Sequence, residues 1–174
     1  MNPDLIIGGI WVPLLAGVSV QQSYTELKSG SVRRAADGTA IAQCVWRGKW
    51  ATSIQCSGHI PPALQSLNWA EPHTIDCIQP REVQAVGLTA TLPAARRPDI
   101  PATAVALIGT EGGWRETGVT VVGNLATLSA VSGAAAYRVR YFPRLICYAV
   151  GLQGPDESWS GGNSFSWSLD LEEI

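Results

Sequence analysis

The fold class is decided near the end of the chain, by the stretch Ser164-Phe165-Ser166-Trp167-Ser168-Leu169-Asp170-Leu171. Large apolar residues occupy every second position of this stretch, and serine or aspartate fills the positions between them. Because successive side chains of a β-strand point to opposite faces, the alternation predicts a strand with one buried face and one solvated face.

Short strands of this kind are predicted along the rest of the chain, separated by turn-forming residues such as Ala36-Asp37-Gly38 and Gly123-Asn124. The only predicted helix is Pro62–Leu67, of at most two turns. Many short strands with turns between them predict a single all-β domain over residues 1–174, folded as a sandwich or barrel. The predicted strands are 18–24, 40–46, 50–57, 74–78, 83–92, 103–108, 119–122, 125–128, 137–141, 145–152 and 164–171.

One predicted hairpin concerns the tryptophans. The short segment Arg47-Gly48-Lys49 has the composition of a hairpin loop, which would pair Trp46 with Trp50 and Cys44 with Thr52. Trp46, Trp50 and Trp167 all fall on the apolar side of their predicted strands. The sequence therefore places these three tryptophans in the core.

The composition predicts a surface that is partly covered by other chains. Hydrophobic residues make up 46% of the sequence and charged residues 15%, against about 25% charged in an average soluble domain. The formal net charge of −2 argues against a nucleic-acid-binding role, which needs a basic stripe. Arg33–Arg34 and Arg96–Arg97 are isolated pairs that we interpret as solvated loop charges.

The N-terminal run Leu5–Val20 carries no charge, yet it is shorter than a membrane-spanning helix and is interrupted by glycine and proline. No basic residues precede it, as they would in a signal peptide. We interpret it as buried strand, with residues 1–17 as an N-terminal contact segment and 153–174 as a loop plus C-terminal strand. Residues predicted to contact neighbouring chains here and in the loop Pro93–Pro101 are Leu5, Ile10, Trp11, Arg96 and Arg97.

The sequence offers little for catalysis, metal binding or a cofactor. The four cysteines form no C-x-x-C pair and are interpreted as reduced, buried thiols, with a disulfide framework as the alternative. The two histidines, His59 and His73, could each partner Cys56 or Cys77, although capping or packing roles explain them more simply. No catalytic residue, metal site or cofactor is therefore predicted, and Asp76 is interpreted as a satisfied polar group inside a strand.

Two tryptophans, Trp114 and Trp159, fall in predicted loops. Tryptophan is enriched both at protein interfaces and in sites that stack a ligand, so either role fits these two residues. With nearby Asn163 they define an alternative function, that of a carbohydrate- or ligand-binding β-sandwich module.

A pattern of turn residues carries a family resemblance. Between residues 31 and 81 the pattern comprises Ser31-Val32-Arg33-Arg34, Asp37-Gly38-Thr39-Ala40, Trp46-Arg47-Gly48-Lys49, Gly58-His59-Ile60-Pro61-Pro62-Ala63-Leu64, Pro72, Cys77 and Pro80-Arg81. Together with Tyr137–Pro143, this pattern resembles small virion proteins of long-tailed, non-contractile bacteriophages, of the kind found at the tail tip or baseplate.

The resemblance implies a structural distal-tail-like protein with a β-sandwich similar to the tail-tube fold. Proteins of that class form a ring, commonly of six copies, between the tail tube and the tip hub. The implied partners are further copies of the chain, the tail tube, the hub and the tape-measure protein, with no nucleic-acid specificity and no membrane span. The implied location is the virion tail, assembled in the host cytoplasm.

Overall fold

A computed structural model describes residues 3–14, 16–60, 63–109, 113–153 and 165–174. These residues form fourteen strands and one 3-10 turn, Leu64–Ser66, so the predicted all-β class is confirmed. In chain order the strands are β1 (Ile6–Ile7), β2 (Ile10–Trp11), β3 (Ser19–Arg34), β4 (Ala40–Gly58), β5 (His73–Asp76), β6 (Arg81–Gln84), β7 (Thr89–Thr91), β8 (Thr103–Ile108), β9 (Gly113–Thr117), β10 (Val119–Val122), β11 (Leu125–Leu128), β12 (Ala134–Tyr141), β13 (Arg144–Gln153) and β14 (Phe165–Glu173).

The chain separates into two compact units. That they belong to one domain over residues 1–174 stays a prediction. The first unit comprises residues 1–6 and 75–145, and the second comprises residues 7–74 and 146–174. Each unit is built of β-strands and has buried apolar residues of its own.

The first unit contains two sheets, ordered β6-β12-β8-β9 and β10-β11-β7. The hairpin predicted at Gly123-Asn124 is confirmed, with Val122 paired to Leu125. Alternate residues of both sheets contribute to one hydrophobic cluster, as expected of a sandwich. The fully buried members of this cluster are Ala90, Leu92, Ala104, Ala126, Leu128, Val139 and Tyr141.

The second unit contains a seven-stranded sheet, ordered β2-β1-β5-β13-β14-β4-β3. The alternation that predicted β14 is confirmed, because Trp167, Leu169 and Leu171 are all buried. Trp167 Nε1 donates a hydrogen bond to the Ala16 carbonyl oxygen at 3.2 Å. The predicted N-terminal contact segment therefore packs, in part, against the buried face of its own unit.

Three predicted elements differ from the structure. The predicted strand 83–92 is two strands, because mutual hydrogen bonds between Val86 and Thr89 close a turn at Gly87. Before β3 begins at Ser19, the described residues of the N-terminal run form only the two-residue strands β1 and β2. The predicted helix is reduced to the 3-10 turn, and within the described ranges no helix reaches the length and apolarity of a membrane span.

Candidate functional site

The most distinctive feature of the second unit is a two-stranded extension formed by β3 and β4. Strand β14 pairs with β4 only as far as Ala51, which lies opposite Glu172. Beyond that point β3 and β4 pair only with each other, up to the turn at residues 35–39. We call residues 27–49 the arm. At about 3.3 Å per strand residue, the arm extends about 30 Å beyond the point where β14 stops pairing with β4.

Two irregularities in the pairing shape the arm, and glycine occupies each. Gly48 has a φ of +89° and lies where β4 gains an extra residue between the pairs Leu27–Lys49 and Ser29–Trp46. A second shift follows at Gly30, where an added Cβ would lie 2.5 Å from the carbonyl oxygen of Gln43. These positions are β-bulges, which bend a strand and increase its twist.

The arm ends in the turn that the sequence predicted at Ala36-Asp37-Gly38. The backbone N–H of Thr39 donates to Asp37 Oδ1 at 2.9 Å, a side-chain bond that favours turns over strands. That hydrogen bond holds the pKa of the Asp37 carboxyl below its ordinary value. The turn prediction is confirmed.

The arm has no core of its own. From Gly30 to Lys49 every residue is exposed except half-buried Ala35. An isolated two-stranded hairpin is only marginally stable in water, so this arm lacks the packing that normally holds a strand pair in place. Four of its exposed side chains are large and apolar: Val32, Ile41, Val45 and Trp46, at 72%, 51%, 80% and 47% exposure.

Both the sequence and the position of the arm favour pairing with another chain. Ala40–Trp46 contains no charge, proline or glycine, which is typical of segments that add to a second sheet. The segment paired with it, Leu27–Arg34, belongs to β3, which is the last strand of the sheet. The edge of β3 that faces away from β4 therefore has no neighbouring strand among the described residues. Such an edge is a template for a further strand unless something covers it.

The arm is also cationic. Its basic residues are Lys28, Arg33, Arg34, Arg47 and Lys49, and its one acidic residue is Asp37, which gives a net charge of +4. The whole chain carries −2, so the residues outside the arm together carry −6. The charge of the chain is therefore strongly segregated.

The sequence did not identify the arm, and its predicted hairpin at Arg47-Gly48-Lys49 is wrong. Gly48 forms a bulge inside one continuous strand, β4, so Trp46 does not face Trp50 and Cys44 does not face Thr52. The predicted core position of Trp46 is also wrong, whereas that of Trp167 is confirmed. Trp50 is half-buried. The charge-free run 40–46 was the sequence signal that could have marked an exposed strand.

The N-terminal residues predicted as interface occupy three different environments. Leu5 is buried within its own chain, Ile10 is half-buried and Trp11 is 54% exposed. The interface role of all three stays a prediction. Trp11 offers the largest surface to a neighbour.

The arginine pair Arg96–Arg97 splits between two roles. Arg97 is 3% exposed, so its interpretation as a solvated loop charge is wrong. Its guanidinium donates to the carbonyl oxygens of Asp4 at 2.6 Å and Cys77 at 3.2 Å, and forms a 2.6 Å ion pair with Asp99. Arg97 therefore fastens segments of the first unit, and the interface role predicted for it stays untested.

Arg96 lies nearer the surface. It donates to the Pro93 carbonyl oxygen at 2.6 Å and to Asn124 Oδ1 at 2.8 Å, and a further bond reaches the carbonyl of Gly123. These contacts hold the loop that begins at Pro93 against the β10–β11 turn. Its role in contacts between chains also stays a prediction.

The predicted loop tryptophans are only partly described. Trp114 lies in β9, not in a loop, and is 42% exposed. The guanidinium carbon of Arg138 lies 4.5 Å from the Trp114 ring centroid, in a cation–π contact that covers one face of the indole. Trp159 and Asn163 lie outside the described residues.

The structure shows the surroundings of two side chains that the sequence raised as candidates for catalysis, Cys56 and His73. Burial raises the pKa of the Cys56 thiol to about 12, so this thiol is protonated at neutral pH. The ring Nε2 of His73 lies 2.9 Å from the Asn68 carbonyl oxygen. No cluster of three metal-ligating side chains occurs within the ranges that the structure describes.

All four cysteines are free thiols. The prediction that the thiols are buried is confirmed for Cys56, Cys77 and Cys147. It is wrong for Cys44, which is exposed on the arm. The interpretation of Asp76 as a satisfied polar group is confirmed, since Arg144 donates to its two carboxylate oxygens at 2.5 and 2.8 Å.

A polar groove occupies part of the second unit, with a volume of about 480 Å³. Three amide side chains, Gln21, Gln55 and Gln153, contribute to its lining, and serine hydroxyls supply most of the remaining polar groups. None of the described residues that line the groove is charged. Such a lining suits a neutral ligand with many hydroxyl groups.

Comparison with protein-family models, with curated proteins and with solved structures gives no significant match.

Proposed function

We propose that this chain is a non-enzymatic structural subunit that assembles with further copies of itself. The observation that carries the proposal is the arm, a long strand pair with exposed apolar side chains and an open edge. Burying such side chains against a second chain stabilises the assembly by about 25 cal/mol per Å² of apolar surface, before the cost of association is subtracted.

The size of the arm fits this role. It contains 23 residues, from Leu27 to Lys49. A standard protein–protein interface contains roughly 20–30 residues on each side. One arm therefore supplies enough residues for one specific interface, without help from the rest of the chain.

We further propose that the assembly is a ring in the tail tip or baseplate of a long-tailed bacteriophage, where it joins the tail tube to the tip hub. This placement rests on the resemblance carried by residues 31–81 and 137–143, and the arm lies largely within the first of these ranges. A ring gives every copy the same neighbours and leaves no arm uncovered.

Light scattering after size exclusion tests the proposal. The full chain is expected to elute as a closed oligomer, with rings in negative-stain electron micrographs. A variant in which residues 30–45 are replaced by Asn-Gly, a two-residue hairpin turn, is expected to elute as a monomer with an unchanged far-ultraviolet spectrum. A full chain that stays monomeric at high concentration would contradict the proposal.

The polar groove favours a second candidate function, the binding of a neutral carbohydrate. Saturation-transfer NMR against a panel of neutral glycans tests it. Gln55→Ala, which removes an amide from the groove, is expected to abolish any signal, while Gln43→Ala on the arm leaves it intact. Equal signals from the two variants, or none from the parent, would exclude this function.

A further inference from the structure

The second unit carries an acidic surface whose chemistry is the counterpart of the arm. On the outward face of β14, Asp170 and Glu172 are both exposed and two residues apart. On the adjacent strand β13, three apolar side chains are exposed: Ile146 at 49%, Tyr148 at 46% and Val150 at 64%. We call these five residues the acidic patch.

The five residues form one surface because the register brings them together. Tyr148 lies directly opposite Glu172, and Gly151 lies opposite Asp170, with a bulge at Val150. The neighbours Cys147 and Leu171 are buried, which shows that the patch faces away from the core of its unit. No ion pair joins Asp170 or Glu172 to another residue in the part of the chain that the structure describes.

Charge is strongly segregated within the second unit. All five of its lysines and arginines lie on the arm. Every acidic residue of this unit except Asp37 lies outside the arm, so the region that carries the patch has no cation of its own. Opposite charges across an interface steer association and fix its register.

We propose that the arm of one copy docks on the acidic patch of a second copy. The inference rests on the proposed self-assembly and names its two surfaces. Arg33 of the arm faces Asp170 and Glu172 of the partner copy. Ile41 lies directly opposite Arg33 in the strand pair and therefore on the same face of the arm, where it covers the exposed apolar side chains of β13. The two surfaces are complementary, because both have exposed apolar side chains to bury and their charges are opposite, basic on the arm and acidic on the patch.

The contact is made between copies because the tip of the arm, which carries Arg33, is too far from the patch of its own chain. Arg33 is paired with Ile41 near the tip of the arm, whereas the patch residue Glu172 is paired with Ala51 at its base. Ten residues of β4 separate Ile41 from Ala51, a distance of about 30 Å along a strand. An arginine side chain does not bridge that distance.

A direct pairing of two arms by their β3 edges is disfavoured. Lys28, Arg33 and Arg34 all lie on β3, so edge-to-edge pairing of two β3 strands brings two cationic segments side by side. Like charges on neighbouring strands are destabilising. The acidic patch is therefore a better partner for β3 of the arm than a second β3 strand.

A charge-reversal mixing experiment tests the inference. The arm variant carries Arg33→Glu and Arg34→Glu; because consecutive strand residues point to opposite faces, it reverses both faces of the arm. The patch variant carries Asp170→Lys and Glu172→Lys. Each variant alone is expected to self-associate at least about tenfold more weakly than the parent in sedimentation velocity. An equimolar mixture of the two is expected to recover assembly, since each arm then meets a patch of opposite charge.

The controls separate this inference from the proposed function. Arg115→Glu, an exposed reversal in the first unit, is expected to assemble as the parent does. A parent that does not assemble would overturn the proposed function itself. Two results would overturn only the arm-to-patch contact, provided that the parent assembles. One is that the charge-reversed variants assemble as well as the parent, and the other is that their mixture assembles no better than either variant alone.

Discussion

At the scale of single residues, Arg97 shows how a charge can be buried at low cost. Its guanidinium is almost inaccessible, yet it is paired with Asp99 and donates to backbone carbonyl oxygens, including those of Asp4 and Cys77. Burying a charge is costly unless it is paired and hydrogen-bonded, and Arg97 meets both conditions. Its removal takes one hydrogen bond from each of these carbonyl groups.

Substitution of this residue tests its structural role. Arg97→Ala is expected to lower the free energy of unfolding by about 3 kcal/mol, because the carbonyl oxygens of Asp4 and Cys77 each lose a hydrogen bond and Asp99 loses its ion pair. Arg96→Ala, at the neighbouring half-buried position, is expected to lower it by about 1 kcal/mol or less. Urea denaturation measures both values, and equal effects of the two substitutions would contradict this account.

A second residue-scale prediction concerns acid stability. A hydrogen bond from Arg140, together with the positive charges of Arg140 and Arg138, holds the pKa of the Glu82 carboxyl below its ordinary value of 4.5. Partial burial acts in the opposite direction but is outweighed. The stabilisation is therefore fully present above pH 4.5 and is lost as the pH falls through the lower folded-state pKa. Acidification from neutral pH to about pH 3.5 is expected to destabilise the parent more than Glu82→Gln.

The control for the acid prediction is Glu116→Gln. Glu116 is exposed and has no ion pair among the described residues. This variant is expected to keep the acid sensitivity of the parent. Denaturation midpoints at the two pH values decide the matter, and an acid response of Glu82→Gln identical to that of the parent would show that the Glu82 ion pairs do not contribute.

At the scale of secondary-structure elements, the arm depends on backbone geometry more than on side-chain packing. Gly30 is required because an added Cβ would collide with the backbone of Gln43 across the strand pair. Gly48 supplies a positive φ at the other bulge. These two positions, and not a hydrophobic core, determine the path of the two strands beyond Ala51.

Substitution of Gly30 tests this dependence. Gly30→Val is expected to separate the strands near the tip, so that amide exchange in residues 31–44 becomes at least about tenfold faster while the rest of the sheet is unchanged. Ser31→Val, at the next position, places the same side chain where a Cβ is already accommodated and is expected to keep slow exchange. Unchanged exchange in Gly30→Val would contradict the proposed bulge geometry.

The elements that the sequence predicted correctly are those with a local signal. β14 alternates regularly, and Gly123-Asn124 joins two short strands, the first of which consists entirely of β-branched residues, so the periodicity and the turn were sufficient. β4 was predicted as two strands because a glycine with positive φ serves a hairpin turn and a bulge equally well. The choice between them is made by the pairing of β3 along all of β4, which is information from a distant part of the chain.

At the scale of the whole molecule, the low charge content predicted a covered surface but not its place. A formal charge of −2 conceals an arm of +4 and a remainder of −6. Composition averages over the chain, so this segregation becomes visible only when the arm is delimited by strand pairing. The same limit applies to the predicted interface residues, since the fold buries Leu5 and Arg97 while it exposes Trp11.

Amide hydrogen exchange of the arm, followed as a function of protein concentration, tests self-assembly through the arm most directly. At a concentration about 100-fold above the dissociation constant, a second copy is expected to stabilise the arm enough to slow exchange in residues 29–34 and 40–46 by about 100-fold. Exchange in the buried part of β14 should change little. Arm amides that exchange at the same rate in concentrated and dilute solution would contradict the account.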